Sequence, residues 1–360
     1  MKNPVTLVLA CALGLALSAP ATADPVAPKL SASERAEVLK TLEAELSAHY
    51  VFPDVAARLN EALPTKDAAY AGAATATDLA DMLSRDLRTI GNDKHFRVFY
   101  DPDFHATEPG AVPSAEDMAR QRADVAEHAF GVEKVQRLPG NVAYVELRGF
   151  GPTELVASAY ASTLALVQGS DALILDLRRN GGGSPNSVAL WMSWFFAQGD
   201  ERHLNDIYTR STNETQQFWT TTSVGERYAK PVYVLVSPRT FSGGEECAYD
   251  FQTQKRATLV GETTGGGANA GGRFSLGHGL VVNIPGARAI NPITHTNWEH
   301  VGVKPDVEAP AAQAQQVAYV AILRTQVANT TDPDDKAHLA KLLALAEKGE
   351  SEAPVYTMRH

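Results

Sequence analysis

From about Val132 onward, the sequence alternates between short apolar strands and helices, and three of these strands lead into glycine-rich turns. The predicted strands are Ala172–Leu177, Pro231–Val236 and Ala257–Val260. Glycine lets the backbone come unusually close to a substrate or to another backbone segment. The pattern therefore predicts a mixed α and β chain whose chemistry lies in the turns that follow its strands.

The chain is predicted to have four segments: a leader at 1–23, an N-terminal helical domain at 24–92, a main α and β domain at 93–310, and C-terminal helices at 311–360. A capping box, Ser31-Ala32-Ser33-Glu34, opens the first helix. Further helices are predicted over Asp54–Leu63 and from Thr77 to Gly91, where glycine suits a helix C-terminus.

The leader has the features of a secretory signal peptide. Lys2 precedes the apolar run Val5–Leu17, and Ala21-Thr22-Ala23 is a small-x-small cleavage site. We therefore expect export to the periplasm or the exterior after cleavage near Ala23. No later segment is long and apolar enough to suggest a membrane span.

Charge and cysteine usage narrow the function classes further. The formal net charge of −10 argues against a nucleic-acid partner. Cleavage of the leader would remove Cys11 and leave Cys247, so an internal disulfide is not expected. Glu245 and Glu246 beside Cys247 would raise the pKa of its thiol, which favours a packing role over a nucleophilic one.

Ser242 is the first candidate for chemistry. It follows the strand Pro231–Val236 and precedes a helix that begins near Gly243, where free N–H groups and the helix dipole favour a developing anion. The alternative is that Ser242 merely caps this helix, with Glu245 completing a capping box. Read locally, the sequence leaves both open.

Two glycine-rich turns are candidates to support such a serine. Asp176-Leu177-Arg178-Arg179-Asn180-Gly181-Gly182-Gly183 lacks the Lys-Ser/Thr of a phosphate-binding loop and is either an oxyanion-hole wall or a tight turn. Gly261-Glu262-Thr263-Thr264-Gly265-Gly266-Gly267 either lets a substrate strand approach the backbone or is a flexible turn.

A serine nucleophile needs a base, and His95 is a candidate because it lies where a helix gives way to an apolar strand. On its own, a histidine in such a position is more often a structural residue with a buried partner than a base. His295 and His300 flank Trp298-Glu299, but no further ligand pattern accompanies them. Neither a metal nor a cofactor is expected.

Taken in order, these segments resemble the tail-specific (C-terminal-processing) protease superfamily, in particular its branch with interphotoreceptor retinoid-binding protein and the tricorn core protease. The resemblance extends from about Leu30 to Pro310. The matching motifs are Asp93-Lys94-His95-Phe96, Asp176 to Gly183, Phe241-Ser242-Gly243-Gly244-Glu245-Glu246 and Trp298-Glu299-His300-Val301-Gly302-Val303-Lys304-Pro305-Asp306, with Tyr50-Val51-Phe52-Pro53 in addition.

The resemblance implies a crotonase-like core of stacked β/β/α units behind an N-terminal helical bundle. It implies an exported serine-type peptidase that cleaves peptides or unfolded proteins through an acyl-enzyme at Ser242. His95 would be the general base and Glu299 would complete the relay. Backbone N–H groups of Gly243 and of Gly182 (or Gly183) would form the oxyanion hole.

The chain also departs from relatives in this superfamily. Gly267 stands where Ser–Lys processing proteases carry a lysine, which excludes a lysine base from that loop. Lys94 stands where tricorn-like sites carry a second serine, so Asp93 or a water is an alternative link to His95. The stretch Asp101–Gly140 does not have the strand content of a PDZ insert.

Two other functions remain as alternatives. An α/β-hydrolase esterase would want G-x-S-x-G with its histidine after the serine, whereas Thr240 precedes Ser242 by two residues and His95 precedes it in the chain. A non-catalytic binder of apolar ligands is suggested by the retinoid-binding branch, although the serine, the histidine, the glutamate and the glycines all persist here.

Overall fold

The computed structural model describes residues 27–105 and 114–351, so the predicted signal peptide at 1–23 lies outside the described residues. The α-helices in this part of the chain are α1 (Ala32–His49), α2 (Pro53–Ala62), α3 (Asp67–Tyr70), α4 (Ala76–Gly91), α5 (Ala115–Glu127), α6 (Thr153–Val167), α7 (Pro185–Met192), α8 (Gly243–Thr253), α9 (Ala314–Asn329) and α10 (Pro333–Glu347). The strands are β1 (Arg97–Tyr100), β2 (Val132–Leu138), β3 (Val142–Leu147), β4 (Ala172–Asp176), β5 (His203–Thr209), β6 (Glu214–Trp219), β7 (Val232–Val236), β8 (Thr258–Gly261), β9 (Gly272–Gly277), β10 (Leu280–Ile284), β11 (Ala287–Ile290) and β12 (Val307–Glu308).

The largest sheet has six strands in the order β12-β8-β7-β4-β3-β2. All neighbouring pairs are parallel except β2 with β3. In a parallel sheet the carboxyl ends of the strands meet at one edge, which is where ligands bind in such folds. The three glycine-rich turns follow β4, β7 and β8, so the topology brings them to the same edge.

Both faces of this sheet are covered, as its alternating apolar residues require. Ala143, Val145 and Leu147 of β3 point into a core shared with α6, α7 and α8. Val142 and Tyr144, on the opposite face, belong to a second core that includes Ala314, Ala318 and Ile322 of α9. The sheet is therefore a layer between helices, and the mixed α and β prediction is confirmed.

A separate three-stranded sheet, β1-β10-β9, packs against the N-terminal helices. Val98 of β1 and Val282 of β10 share one buried core with Leu42 of α1 and Leu83 of α4. The β9–β10 hairpin comes from late in the sequence and completes a core that the helices begin. A third small sheet has the order β11-β5-β6.

Most predicted elements are confirmed to within a few residues. The predicted helix from Thr77 to Gly91 is α4, which a Thr75–Asp78 capping box opens and a left-handed Asn92 (φ 51°) closes. The sequence also predicts a hairpin over Phe274–Leu276 and Leu280–Ile284, on either side of Gly277-His278-Gly279, and this hairpin is β9–β10. The sequence predicted none of β2, β11 and β12. β2 is mostly polar, and its residues are half-buried or exposed, so it lacks an apolar run.

Among the described residues, no helix is long and apolar enough to cross a membrane.

Candidate active site

Ser242 lies at the turn between β7 and α8 in an unusual backbone conformation, with φ 52° and ψ −122°. A non-glycine residue in this region costs about 1–3 kcal/mol and persists only where its surroundings fix it. Here the Ser242 N–H donates to Glu245 Oε2 at 2.9 Å, and the Phe241 N–H donates to the Asn180 carbonyl at 3.0 Å. The serine is thus both the cap of α8 and a strained residue at the edge of the sheet.

Glu245 holds this turn against the glycine-rich loop that follows β8. Its carboxylate is buried and accepts hydrogen bonds from Thr264 Oγ1 at 2.5 Å, Gly266 N at 2.6 Å and Gly267 N at 2.8 Å, besides Ser242 N. Burial raises the pKa of Glu245, and these hydrogen bonds oppose the shift. The sequence identified Glu245 only as a capping residue; its other bonds depend on a loop about twenty residues away.

The turn after β4 lies directly against the serine. A Cβ atom on Gly182, whose φ is +98°, would lie 2.8 Å from both Gly243 N and the Ser242 Cβ. A Cβ atom on Gly243 would lie 3.0 Å from Gly183 N. The glycine-rich turn after β4 is therefore in backbone contact with the turn that carries Ser242.

The N–H groups of these glycines differ in availability. Gly182 N donates to Asn180 Oδ1 at 2.9 Å. Gly183 N and Gly243 N donate to no partner among the described residues, and Gly243 is the first residue of α8, whose N–H has no helical acceptor. The free N–H groups nearest to Ser242 thus include that of Gly183. Gly182 contributes by having no side chain, which lets the two turns come into contact.

His95 follows α4 and stands two residues before β1. Its ring packs on the ring of Phe241, the residue before Ser242, with 4.6 Å between the centroids. The His95 N–H donates to Asp93 Oδ1 at 2.9 Å, and Asn283 Nδ2 donates to the His95 carbonyl at 2.8 Å. Both imidazole nitrogens are buried without a hydrogen-bond partner among the described residues. Hydrogen bonds at catalytic sites are often long in ligand-free structures and tighten in the complex with substrate.

Two carboxylates lie near this imidazole. Asp93 Oδ1 is 3.6 Å from His95 Nδ1, and Asp93 Oδ2 accepts from the Tyr50 hydroxyl at 3.4 Å. Glu299 Oε2 accepts from Ala268 N at 2.5 Å, while its Oε1 is buried with no hydrogen-bond partner among the described residues. Asp93 is thus the carboxylate in direct reach of the ring.

Asn269 joins these two carboxylates. Its side-chain Nδ2 donates to Asp93 Oδ2 at 2.9 Å, and its backbone N–H donates to Glu299 Oε2 at 3.1 Å. Burial, and then the negative charge of Asp93, raise the pKa of Glu299 to about 7, against the hydrogen bond from Ala268 and the charge of His95. Asn269 was not identified from the sequence, since nothing marks an asparagine in a glycine-rich loop.

Gly267 is packed too closely to carry a side chain. A Cβ atom there would lie 2.3 Å from Cζ of Phe241 and 2.8 Å from Cε1 of His95. Lys94 extends along the same loop, and its Nζ donates to the Gly265 carbonyl at 2.5 Å. The positions of these two residues fit the sequence argument against a lysine base in this loop.

Cys247 lies on α8 and is fully buried, as a packing residue would be. Burial raises the pKa of its thiol, and the charges of Asp250 and Glu246 add to the shift. Of the two glutamates expected to raise this pKa, Glu246 does so, and its effect is secondary to burial. Within the described ranges, no group of three or more histidine, cysteine, aspartate or glutamate side chains is arranged to hold a metal ion.

A strained serine, free backbone N–H groups beside it, and a histidine with a buried carboxylate are the parts that acyl transfer through a covalent intermediate requires. Comparison with known proteins identifies the family. The model of peptidase family S41 matches residues 141–309, and the model of this family's N-terminal domain in eukaryotic IRBP matches residues 30–134. The chain belongs to peptidase family S41.

Curated relatives carry the names of processing proteases. The carboxyl-terminal-processing protease of Synechocystis sp. is 31% identical over 198 residues, which cover 53% of this chain and 44% of that protein. The chloroplastic carboxyl-terminal-processing peptidase 2 of Arabidopsis thaliana is 30% identical over 188 residues, which cover 48% of this chain and 34% of that protein. The match thus spans less than half the length of these relatives.

Solved structures support the fold. The crystal structure of mature CPAF matches with a TM-score of 0.53 at 12% identity, covering 89% of this chain and 99% of that one. At this identity the likeness concerns the fold alone.

Proposed function

We propose that this chain is an exported serine-type peptidase that hydrolyses peptide bonds through an acyl-enzyme at Ser242. The observation that carries the proposal is the backbone contact between Gly182–Gly183 and Ser242–Gly243, which places two free N–H donors beside a serine in a strained turn. His95, packed on the adjacent Phe241, supports it.

In this mechanism the Ser242 Oγ attacks the substrate carbonyl carbon while its proton passes to the His95 imidazole. The carbonyl oxygen becomes an oxyanion that the N–H groups of Gly183 and Gly243 stabilise, an effect worth about 10²–10³ in kcat per donor. The imidazolium then protonates the leaving amine as the C–N bond breaks. A water molecule, deprotonated by His95, hydrolyses the acyl-enzyme and restores Ser242.

The carboxylates act on the histidine. We propose that Asp93 orients the imidazole and stabilises its charged form, and that Glu299 acts through Asp93 and Asn269 rather than by direct contact. The bridging hydrogen bonds of Asn269 support this arrangement. It assigns Glu299 a place in the relay although Lys94 replaces the second serine of tricorn-like sites.

Several finer features belong to the same proposal. The six-stranded sheet with its covering helices would be a crotonase-like core, and α1–α4 would be the N-terminal helical unit of the family. Substrates would be peptides or unfolded proteins, and the chain would act outside the cytoplasm after removal of residues 1–23. The relatives described above are named as carboxyl-terminal-processing proteases, which supports a processing role.

The decisive experiment compares Ser242→Ala with Ser223→Ala, a matched control on an exposed loop. Cleavage of a peptide library and labelling by a fluorophosphonate probe should both disappear in Ser242→Ala and persist in Ser223→Ala. Cleavage that survives in Ser242→Ala would refute the mechanism. Absent labelling combined with tight binding of an apolar ligand would favour the non-catalytic binder.

A second pair of variants distinguishes the proposed peptidase, whose histidine precedes Ser242 in the chain, from an esterase, whose histidine would follow it. His300 lies beside Glu299, with 3.5 Å between Nδ1 and Oε1, but its side chain is about half exposed. His95→Ala should abolish labelling, and His300→Ala should leave it within a few-fold of the wild type. The opposite result would favour the esterase order.

A further inference from the structure

Three side chains form a row across the sheet β1-β10-β9. Arg97 of β1 is paired in register with Asn283 of β10, which is paired with Arg273 of β9. Residues directly opposite each other on neighbouring strands point to the same face. Val98 and Val282, the next residues along, point into the core shared with the N-terminal helices. The two arginines therefore stand on the outer face, and both are exposed.

Phe99 brings the two guanidinium groups together. The Arg97 Cζ lies 5.8 Å from the centroid of the Phe99 ring, and the Arg273 Cζ lies 5.6 Å from it. Each contact is a cation–π interaction, and together they direct two positive charges to one aromatic side chain. Among the described residues, neither guanidinium group has a carboxylate within salt-bridge distance or a hydrogen-bond partner. This concentration of positive charge stands out in a chain whose formal net charge is −10.

His95 connects this patch to the candidate active site. The side chains of Arg97, Phe99, Arg273 and Asn283 line a cavity of about 220 Å³ together with His95. Asn283 also holds the His95 backbone through its bond to the His95 carbonyl. The two arginines and the proposed general base, His95, therefore line the same cavity.

We propose that this cavity binds a carboxylate of the substrate, on the part of the peptide that leaves after cleavage. The proposal rests on the function proposed above. The histidine of a serine peptidase gives its proton to the leaving amine, so the leaving segment must pass the imidazole. A peptide's anionic groups are its carboxylates, and guanidinium groups bind carboxylates in a forked geometry.

Two sources of carboxylate fit the cavity: the free C-terminus of the peptide, or an acidic side chain just after the scissile bond. The test uses fluorescein-labelled, alanine-based peptides that carry Glu or its uncharged counterpart Gln near the C-terminus. Each is made with a free terminal acid and with a terminal amide. Binding to the Ser242→Ala protein is measured by fluorescence anisotropy, and cleavage is measured with the wild-type serine in place.

The variants are Arg97→Gln, Arg273→Gln and the pair combined. Arg288→Gln is the matched control, because Arg288 is an exposed arginine over another aromatic ring, Tyr208, with 5.5 Å from Cζ to the centroid. A hydrogen-bonded charge pair at a partly exposed site is worth about a factor of ten. We therefore expect each single substitution to weaken binding of the carboxylate peptide by about ten-fold and to leave the uncharged peptide and the Arg288→Gln protein unchanged.

The peptide series identifies the source of the carboxylate. If the arginine variants no longer weaken binding once the peptide is amidated, the cavity binds the free C-terminus of the peptide. If they no longer weaken binding once Glu is exchanged for Gln, the cavity binds an acidic side chain. Equal binding of charged and uncharged peptides, or an equal fall for both in the arginine variants, would overturn the proposal. The binding readout needs no hydrolysis, so it is distinguishable from failure of the peptidase mechanism, which the Ser242→Ala cleavage assay reports.

Discussion

Replacement of Gly182 by alanine tests the proposed oxyanion wall most directly. The new Cβ would lie 2.8 Å from Gly243 N and the Ser242 Cβ and 2.9 Å from the Phe241 carbonyl oxygen. Two of these three atoms are backbone and the third is a Cβ, so none can move aside as a flexible side chain could. The substitution also forces an L residue to a φ of +98°.

The expected magnitudes follow from this geometry. Left-handed backbone costs an L residue about 1–2 kcal/mol, and the contacts add to that, so the thermal midpoint should fall by roughly 5 °C. The larger effect is on catalysis, because relief of the contacts shifts Ser242 and the Gly243 N–H relative to each other. Misplacement of a catalytic group on the ångström scale, or loss of one oxyanion donor, costs about 10² in kcat.

Steady-state kinetics with a cleaved peptide should show this loss in kcat, with a smaller change in KM. The control is Gly181→Ala, since a Cβ atom at Gly181 would meet nothing within 4 Å. Its kcat and thermal midpoint should match those of the wild type. A Gly182→Ala enzyme with kcat within a few-fold of the wild type, or an equal loss in Gly181→Ala, would refute the proposed wall.

Three further predictions concern buried groups around the site. Asp93→Asn should lower kcat more than Glu299→Gln, because Asp93 is the carboxylate 3.6 Å from the imidazole; a larger loss in Glu299→Gln would reassign the orienting role. The pKa of Glu299 is raised from 4.5 to about 7, so the folded chain keeps a proton that the unfolded chain releases, and this contribution to stability is present below pH 4.5 and lost as the pH rises to about 7. Denaturant unfolding across that window should show a fall in stability that is larger in the wild type than in Glu299→Gln by on the order of 3 kcal/mol, and an equal fall in the two proteins would contradict the assignment. Cys247 should resist iodoacetamide in the folded protein and react in denaturant, since its thiol is buried with a raised pKa; rapid labelling of the folded protein, read by mass spectrometry, would contradict this.

Local sequence patterns were sufficient to predict the turns that carry the candidate site. Ser242 and Gly182 each follow an apolar strand, and once those strands are parallel neighbours their carboxyl ends must meet. The helix predicted from Thr77 to Gly91 corresponds to α4, although the left-handed cap is Asn92 rather than Gly91, and the end of this helix sets the point at which His95 leads into its strand. These inferences succeed because each depends on a few adjacent residues.

Other parts of the site depend on pairings that no local pattern encodes. The bridge of Asn269 between Asp93 and Glu299 joins three segments of the chain. The row of Arg97, Asn283 and Arg273 exists only because of the register of β10 with its two neighbours. Polar residues at strand edges look alike in sequence, and their partners are set by tertiary packing.

The division of the site between two sheets has a consequence for how the molecule matures. His95 is carried by the sheet that packs on the N-terminal helices, whereas Ser242 is carried by the six-stranded sheet, and the packing of His95 on Phe241 joins them. Contacts between residues so distant in sequence close large loops and tend to form late in folding. We therefore expect the candidate site of a newly made chain to stay incomplete until the β9–β10 hairpin docks.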